Sequence, residues 1–191
     1  MNRLASFILF YILLSVAGAG VEIIPNVTLT FVGAYLAALF LNSIAGGLVA
    51  LFGMMFVAYW QAFPLSIVGH WIVALSVAAG AYYFAEIYQK FLGQGWKPYV
   101  YSFLAGYICQ IGMSIFLLWS FIGQPALVLF VPWSISLSLS MIIVLAFNYG
   151  WPNELRHVLG APRPIALKGK NRARKRREEL KRLRNENKEN E

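Results

Sequence analysis

Five polar breaks divide the first 150 residues of this chain into six apolar segments. The breaks are at Glu22 to Asn26, Asn42-Ser43, Gln61 to Pro64, Lys90 to Pro98 and Gly123 to Pro125. The segments between them run over about 4–21, 27–41, 44–60, 65–88, 99–122 and 126–149. A helix needs about 20 mainly apolar residues to cross the hydrocarbon core. The pattern predicts an all-α membrane protein with a six-transmembrane-helix bundle.

The second and third segments are short and are separated only by Asn42-Ser43. They form either a tight hairpin of tilted helices or one long kinked helix. A continuous helix over both segments would be about 50 Å long, whereas the hydrocarbon core is about 30 Å thick. The sequence therefore favours the hairpin.

The first segment follows Arg3, as the apolar part of a secretory signal peptide would. Ala17-Gly18-Ala19 offers small residues for cleavage, but more membrane sequence follows. We interpret Leu4 to Val21 as a retained first span rather than a cleaved signal.

Charged residues are distributed very unevenly along the chain. Residues 1–150 contain five of them, whereas residues 151–191 contain the other 19. A charge in hydrocarbon costs about 2.5 to 3.5 kcal/mol, so we expect a membrane domain over 1–150 and a charged aqueous tail over 151–191. The tail supplies most of the net charge of +8. We expect it to lie near anionic lipid; binding a cytoplasmic protein or RNA is the alternative, and nucleic-acid binding by the protein as a whole is not expected.

The basic residues also predict the orientation of the bundle. If six segments cross, then Arg3, Lys90, Lys97 and the tail share one side, and the connections on the other side contain no Lys or Arg. The positive-inside rule places that basic side in the cytoplasm. We therefore expect a multi-pass protein of the cell membrane with both termini cytoplasmic.

Polar and aromatic residues collect mostly near the outer ends of the predicted spans. Polar side chains at membrane depth usually face protein, water or ligand, which indicates an outward-facing pocket. Ser134 and Ser138 are four residues apart and share a helix face. Alternatively, the aromatic residues form an interface belt and the serines bond their own helices. The candidate binding residues are Thr28, Thr30, His70, Gln110, Trp119, Trp133, Ser134 and Ser138.

Two of these candidates have further alternatives. Three roles are open for His70: a hydrogen-bonded packing residue, a ligand contact or a proton relay. No His, Cys or carboxylate lies four residues away from His70 to share a metal. Gln110 lies near the middle of the fifth segment. Because an unpaired amide in hydrocarbon costs several kcal/mol, Gln110 acts either as helix–helix glue or as the floor of a pocket.

The sequence carries no catalytic signature. It has no Gly-x-Ser-x-Gly, no His-Glu-x-x-His, no phosphate loop and no paired intramembrane acids. Cys109 is the only cysteine, which excludes a disulfide within the chain and a cysteine metal cluster. Small residues in segments two to four predict close packing within the bundle or, alternatively, a partner surface. We expect no enzymatic activity, no cofactor and no bound metal.

Short motifs in four of the segments point to one family. They are Pro25-Asn26-Val27-Thr28-Leu29-Thr30, Ser66-Ile67-Val68-Gly69-His70-Trp71, Gly106 to Gly112 with Trp119, and Pro132-Trp133. Over residues 4 to 150 the chain resembles the biotin-specific substrate-binding (S) components of energy-coupling-factor (ECF) vitamin transporters. The resemblance implies a six-helix fold, a vitamin-like ligand, and coupling to a transmembrane partner protein and ATPases. The family's Asp and Lys in the last helix are absent here, so we expect an uncharged or amphipathic ligand.

Two functions are compatible with the sequence. In the first, the chain captures a vitamin-like molecule between the outer ends of spans one, two, four, five and six. In the second, it is a structural or scaffolding protein, similar to the rod-shape-determining six-span proteins, and its polar residues only pack. Ligand binding raises the stability of a binding protein, whereas vitamins leave the stability of a scaffolding protein unchanged.

Cysteine labelling tests the predicted orientation. In a Cys109→Ser background, Gln124→Cys should react with an impermeant thiol reagent added outside the cell, and Gln94→Cys should not. The reverse pattern of labelling would contradict the topology.

Overall fold

The computed structural model describes residues 3–24, 27–61, 67–122, 126–150 and 158–160. Two short antiparallel strands, β1 (Glu22–Ile24) and β2 (Val27–Thr28), stand between the first two helices. The helices are α1 (Arg3–Ala19), α2 (Val32–Phe40), α3 (Ser43–Gln61), α4 (Ile67–Lys90), α5 (Lys97–Ile122) and α6 (Ala126–Gly150). The predicted helical fold is therefore confirmed.

Three of the helices can cross a membrane by their length and composition. They contain the apolar stretches Val68–Lys90, Lys97–Phe121 and Phe130–Gly150. The shorter helices α1 and α3 are also apolar. A membrane location agrees with these helices.

The second predicted span differs from the expected helix in its first half. The prediction was a helix over residues 27–41, but the chain forms β2 and then a non-helical stretch, and it becomes helical only at Val32. The β-branched residues Val27, Thr28 and Thr30 favour this extended backbone. Because α2 has nine residues, it is about 14 Å long, roughly half the thickness of the hydrocarbon core.

α2 is enclosed on all sides by the bundle. All nine of its residues are buried, and Tyr35 has no exposed surface. It packs against α1, α3, α4 and α6. A helix that is apolar all round is expected to be buried, and the small side chains of Ala34, Ala37 and Ala38 allow close neighbours. The core of the protein therefore sits around α2.

α2 and α3 form the hairpin that the sequence favours. The turn lies at Leu41-Asn42, where the Leu41 N–H donates to the Ala37 carbonyl at 2.9 Å. The Ala45 N–H donates to Asn42 Oδ1 at 2.7 Å, so Asn42 caps α3. Gly46 of α3 faces Ala38 so closely that a Cβ on Gly46 would collide with the Ala38 side chain. The hairpin prediction is confirmed.

Residues 158–160 lie against the end of the bundle that contains the start of α1. The Tyr11 hydroxyl donates to the Leu159 carbonyl at 2.8 Å. Gly160 has a φ of +94°, and a Cβ there would come within 2.5 Å of the Leu41 side chain. The compact unit accordingly runs over Met1–Ala161. The predicted boundary between residues 150 and 151 stays a prediction, and the predicted basic tail beyond residue 161 lies outside the described residues.

The close contact between Gly46 and Ala38 yields a stability prediction. Gly46→Ala should lower the thermal unfolding midpoint in detergent, because forced overpacking costs about 1 to 3 kcal/mol. Gly112→Ala is the matched control, since a Cβ on Gly112 meets nothing within 4 Å. Alanine there should be neutral or stabilising, as it is elsewhere in helices. Equal midpoints for the two variants would contradict the packing around α2.

Candidate functional site

The stretch of chain that leads into α2 passes through the protein as non-helical backbone. We call residues 27–31 the entry segment. Val27 is 1% exposed, Thr30 is 6% exposed and Phe31 is 2% exposed, so the segment is mostly buried. Non-helical backbone at membrane depth is tolerated where it is buried in protein or lines a cavity. The entry segment is therefore a place where polar backbone groups gather inside the bundle.

Thr28 and Thr30, both predicted site residues, tie the entry segment to its neighbours. The Thr28 N–H donates to Ser136 Oγ of α6 at 3.1 Å. The Thr30 hydroxyl donates to the Ser15 carbonyl of α1 at 3.4 Å. The Leu29 N–H donates to the Gly18 carbonyl at 3.0 Å. These bonds to α1 and α6 replace bonds that a continuous helix would make to itself.

The first turn of α2 carries unpaired backbone donors. The Val32 N–H donates to the Leu29 carbonyl at 3.1 Å, and the Tyr35 N–H donates to the Phe31 carbonyl at 3.2 Å. No side chain caps the helix at Phe31. The N–H groups of Gly33 and Ala34 are left without an acceptor among the described residues. A buried helix N-terminus has a partial positive charge and usually has a partner for each donor.

Ser15 of α1 lies directly against this first turn. It is 2% exposed, and its Oγ has no hydrogen-bond partner among the described residues. A Cβ on Gly33 would collide with Ser15 Oγ and with the Tyr11 carbonyl oxygen. An unpaired hydroxyl and the start of α2 are therefore neighbours inside the bundle. Ser15 was not among the predicted site residues, because a single serine in an apolar helix gives no indication of its direction.

The buried serines of α6 are not the predicted pair. Ser134 and Ser138 are only half-buried, whereas Ser136 is 2% exposed and Ser140 is fully buried. Ser136 and Ser140 lie on the face of α6 that also buries Leu137, Met141, Val144 and Asn148. Within the described structure, Ser134 Oγ and Ser140 Oγ are buried and lack a hydrogen-bond partner. The structure buries Ser136 and Ser140 more deeply than Ser134 and Ser138, and the assignment of Ser134 and Ser138 to a binding site stays a prediction.

Gln110 acts as helix–helix glue. Its Oε1 accepts a hydrogen bond from the Tyr35 hydroxyl at 2.7 Å, and the two residues are 2% and 0% exposed. Gly80 of α4 makes room for the pair, because a Cβ there would lie 2.7 Å from both the Tyr35 hydroxyl oxygen and Gln110 Cβ. The bond joins α5 to α2 across α4. This bond agrees with the interpretation of Gln110 as helix–helix glue.

The two tryptophans of the predicted site do not share one pocket. Trp133 lines a cavity of about 10 Å³ together with Ile111, Ser114, Ile115, Leu118 and Phe130. Such a cavity holds about one water molecule, whereas a ligand pocket measures about 300 to 1,000 Å³. Trp119 is 72% exposed and does not line this cavity. The assignment of Trp119 to a ligand pocket stays a prediction, and its exposure is typical of an interface aromatic.

His70 lies in the first turn of α4 and is half-buried. In the part of the chain that the structure describes, no three residues of the types His, Cys, Asp or Glu come together as metal ligands. Cys109, half-buried on α5, is a free thiol. The polar groups of the described site are therefore hydroxyls, amides and backbone donors.

Comparisons with protein-family models, with curated proteins and with solved structures found no match to this chain.

The buried bond between Tyr35 and Gln110 can be tested by a double-mutant cycle. Tyr35→Phe should lower the free energy of unfolding by about 1 to 3 kcal/mol, because it leaves a buried amide oxygen unpaired. Tyr35→Phe combined with Gln110→Leu should recover most of that loss, since both polar partners are then gone. Tyr82→Phe, on an exposed side chain of α4, should be neutral. Additive effects of the two buried substitutions would contradict the bond.

Proposed function

We propose that this chain is the substrate-binding membrane subunit of an uptake transporter for a small vitamin-like molecule such as biotin. The observation that carries the proposal is the entry segment, a buried break in the second crossing. The segment contains Thr28 and Thr30, and it lies against the serines Ser136 of α6 and Ser15 of α1. A membrane protein that only packs has no evident need for such a break.

Broken crossings have a known physical use in transporters. They expose backbone donors and acceptors near the middle of the membrane, where substrates and ions bind. An unpaired polar group there costs several kcal/mol, so its presence calls for a compensating partner. The Gly33 and Ala34 N–H groups, Ser15 Oγ and Ser140 Oγ are unpaired within the described residues. A bound polar molecule would supply the missing partners.

The proposal includes six crossings. Residues 27–40 form the second of them: Val27 and Thr28 are extended, and a turn at Thr30-Phe31 leads into the nine residues of α2. With α1 and α3 to α6 as the other crossings, both termini lie on the basic, cytoplasmic side.

The proposed partners follow from the resemblance described above. A transmembrane coupling protein and ATPases would supply the energy for uptake, and the bilayer would surround the exposed apolar faces of the helices. Large exposed apolar side chains such as Phe116 on α5 and Phe56 on α3 are consistent with lipid contact.

A scaffolding protein is the second candidate, and one observation favours it. The cavity beside Trp133 has room for about one water molecule rather than a vitamin. In this alternative the buried hydroxyls only hold helices together. Thermal stabilisation in detergent separates the two, because a ligand at 100 times its Kd adds about 2.7 kcal/mol to the stability of a binder. A scaffold should give the same midpoint with every vitamin in the series.

Two tryptophan variants test the proposed binding function with biotin as the first ligand. Trp133→Ala should weaken biotin binding by at least about fivefold, the loss expected when a buried aromatic contact is removed. Trp119→Ala is the matched control and should bind normally, because that side chain is 72% exposed. Equilibrium binding to the purified protein in detergent gives both constants. Unchanged binding by the Trp133 variant, or the absence of binding by the intact protein to any vitamin tested, would contradict the proposal.

A further inference from the structure

A short segment that follows α6 in the sequence lies against α1. We call residues 158–160 the strap. The Leu159 carbonyl accepts a hydrogen bond from the Tyr11 hydroxyl of α1 at 2.8 Å, and the Leu159 side chain packs against the buried core. Tyr11 is 1% exposed, so the strap supplies the acceptor for the hydroxyl of a buried residue. Because a buried hydroxyl without an acceptor is costly, the strap satisfies a specific requirement of α1.

Gly160 brings the strap as close to its neighbours as a backbone can come. Its φ is +94°, a conformation that glycine adopts readily and other residues rarely do. A Cβ on Gly160 would lie 2.5 Å from the Leu41 side chain and 3.3 Å from the ring of Phe7. Phe7 belongs to α1, and Leu41 lies in the turn between α2 and α3. The strap therefore occupies a groove between α1 and that turn.

The strap connects two helices that have different neighbours. α1 packs against α2 and α3, whereas α6 packs against α5, α2 and β2. Because the strap follows α6 in the sequence and bonds to Tyr11, the chain beyond α6 is held at α1. The position of the strap thus decides whether α1 is fixed from this side as well.

The attachment of the strap is small. Within the described chain it consists of one hydrogen bond, one packed apolar side chain and the close approach of Gly160. Val158 is 68% exposed, and no backbone–backbone hydrogen bond joins the strap to the described helices. Segments with few buried contacts open at a lower free energy than packed helices do. The strap can therefore leave its groove while the helices stay folded.

We propose that residues 158–160 act as a reversible strap, which fixes α1 to the turn between α2 and α3 when it is docked and frees α1 when it is undocked. Tyr11 is a positioning residue, because its hydroxyl holds the strap at Leu159. Gly160 permits the close approach. The strap is a property of the fold and is independent of any ligand, so its failure would leave the proposed binding function in place.

A distance between two spin labels tests whether the strap is docked. Val158→Cys and Ile44→Cys, in the Cys109→Ser background, put the labels on exposed positions of the strap and of the first turn of α3. Double electron–electron resonance on the full-length protein in lipid nanodiscs should give one narrow distance. A broad distribution of distances in this protein would overturn the proposal.

Two substitutions should release the strap. Tyr11→Phe removes only the hydroxyl, and it should raise the ratio of undocked to docked strap by about three- to tenfold, as expected for one lost hydrogen bond. Gly160→Val adds a branched side chain where the φ is positive and the groove is filled, so it should release the strap more completely.

Gly93→Val is the matched control for the glycine substitution. Gly93 has a φ of +88°, but a Cβ there meets nothing within 4 Å. The backbone strain is therefore similar to that at Gly160, and only the contact with the groove differs. The control variant should keep the narrow distance.

Amide hydrogen exchange separates release of the strap from unfolding of the bundle. Release should speed exchange in the first half of α1 and in the turn between α2 and α3, while α4 and α5 exchange as in the wild type. A distance that stays narrow in both Tyr11→Phe and Gly160→Val would overturn the strap. Faster exchange throughout the bundle in both variants would also overturn it, because the segment would then be part of the core rather than a separate element.

Discussion

Close backbone contact around α2 is the constraint on which the rest of the bundle depends. Lipid gives helices no hydrophobic reason to associate, so van der Waals packing and hydrogen bonds must hold them together. α2 contacts α1 and α3 at glycine and alanine residues. A Cβ would collide with a neighbouring residue at Gly18, Gly33 and Gly46, which bring α1 and α3 against the entry segment and α2.

This enclosure also accounts for the non-helical backbone that precedes α2. A helix with neighbours on every side has no free face, and all nine residues of α2 are buried. The chain reaches that position through the non-helical entry segment, in which the Thr28 and Leu29 N–H groups donate to Ser136 Oγ and to the Gly18 carbonyl. Extended backbone covers more distance per residue than a helix, so few residues are needed to reach the centre. The consequence is a helix N-terminus inside the protein with donors left over.

Most of the architecture could be predicted from the sequence, because long apolar segments between polar breaks specify helices strongly. Five helices agree with the predicted segments to within a few residues, and the Asn42 turn was found as well. The entry segment was not predicted, since hydropathy does not distinguish an extended buried segment from a helical one. Val27, Thr28 and Thr30 are β-branched and favour non-helical backbone. The apolar character of residues 27–41 nevertheless predicted a helix there.

Within the candidate site, the sequence predicted a specific interaction only for Gln110, because a buried amide requires a hydrogen-bond partner. Gln110 had to find a buried partner, and Tyr35 is that partner. The direction of the α6 serines depends on helix rotation, which the packing against α2 and β2 determines. Ser136 and Ser140 are buried on the inner face of α6, whereas the predicted Ser134 and Ser138 are half-buried. Trp119 is exposed, as aromatic residues near a membrane surface often are, and its role in a pocket stays a prediction.

Backbone chemical shifts of residues 27–40 in lipid bilayers are the most direct test of this account. Solid-state NMR of the carbon-13-labelled protein reports Cα shifts that differ in sign between extended and helical backbone. The account predicts extended shifts for Val27 and Thr28, non-helical shifts through Thr30, and helical shifts for Val32 to Phe40. Helical shifts running without interruption from Val27 to Phe40 would contradict the broken crossing and the site that depends on it.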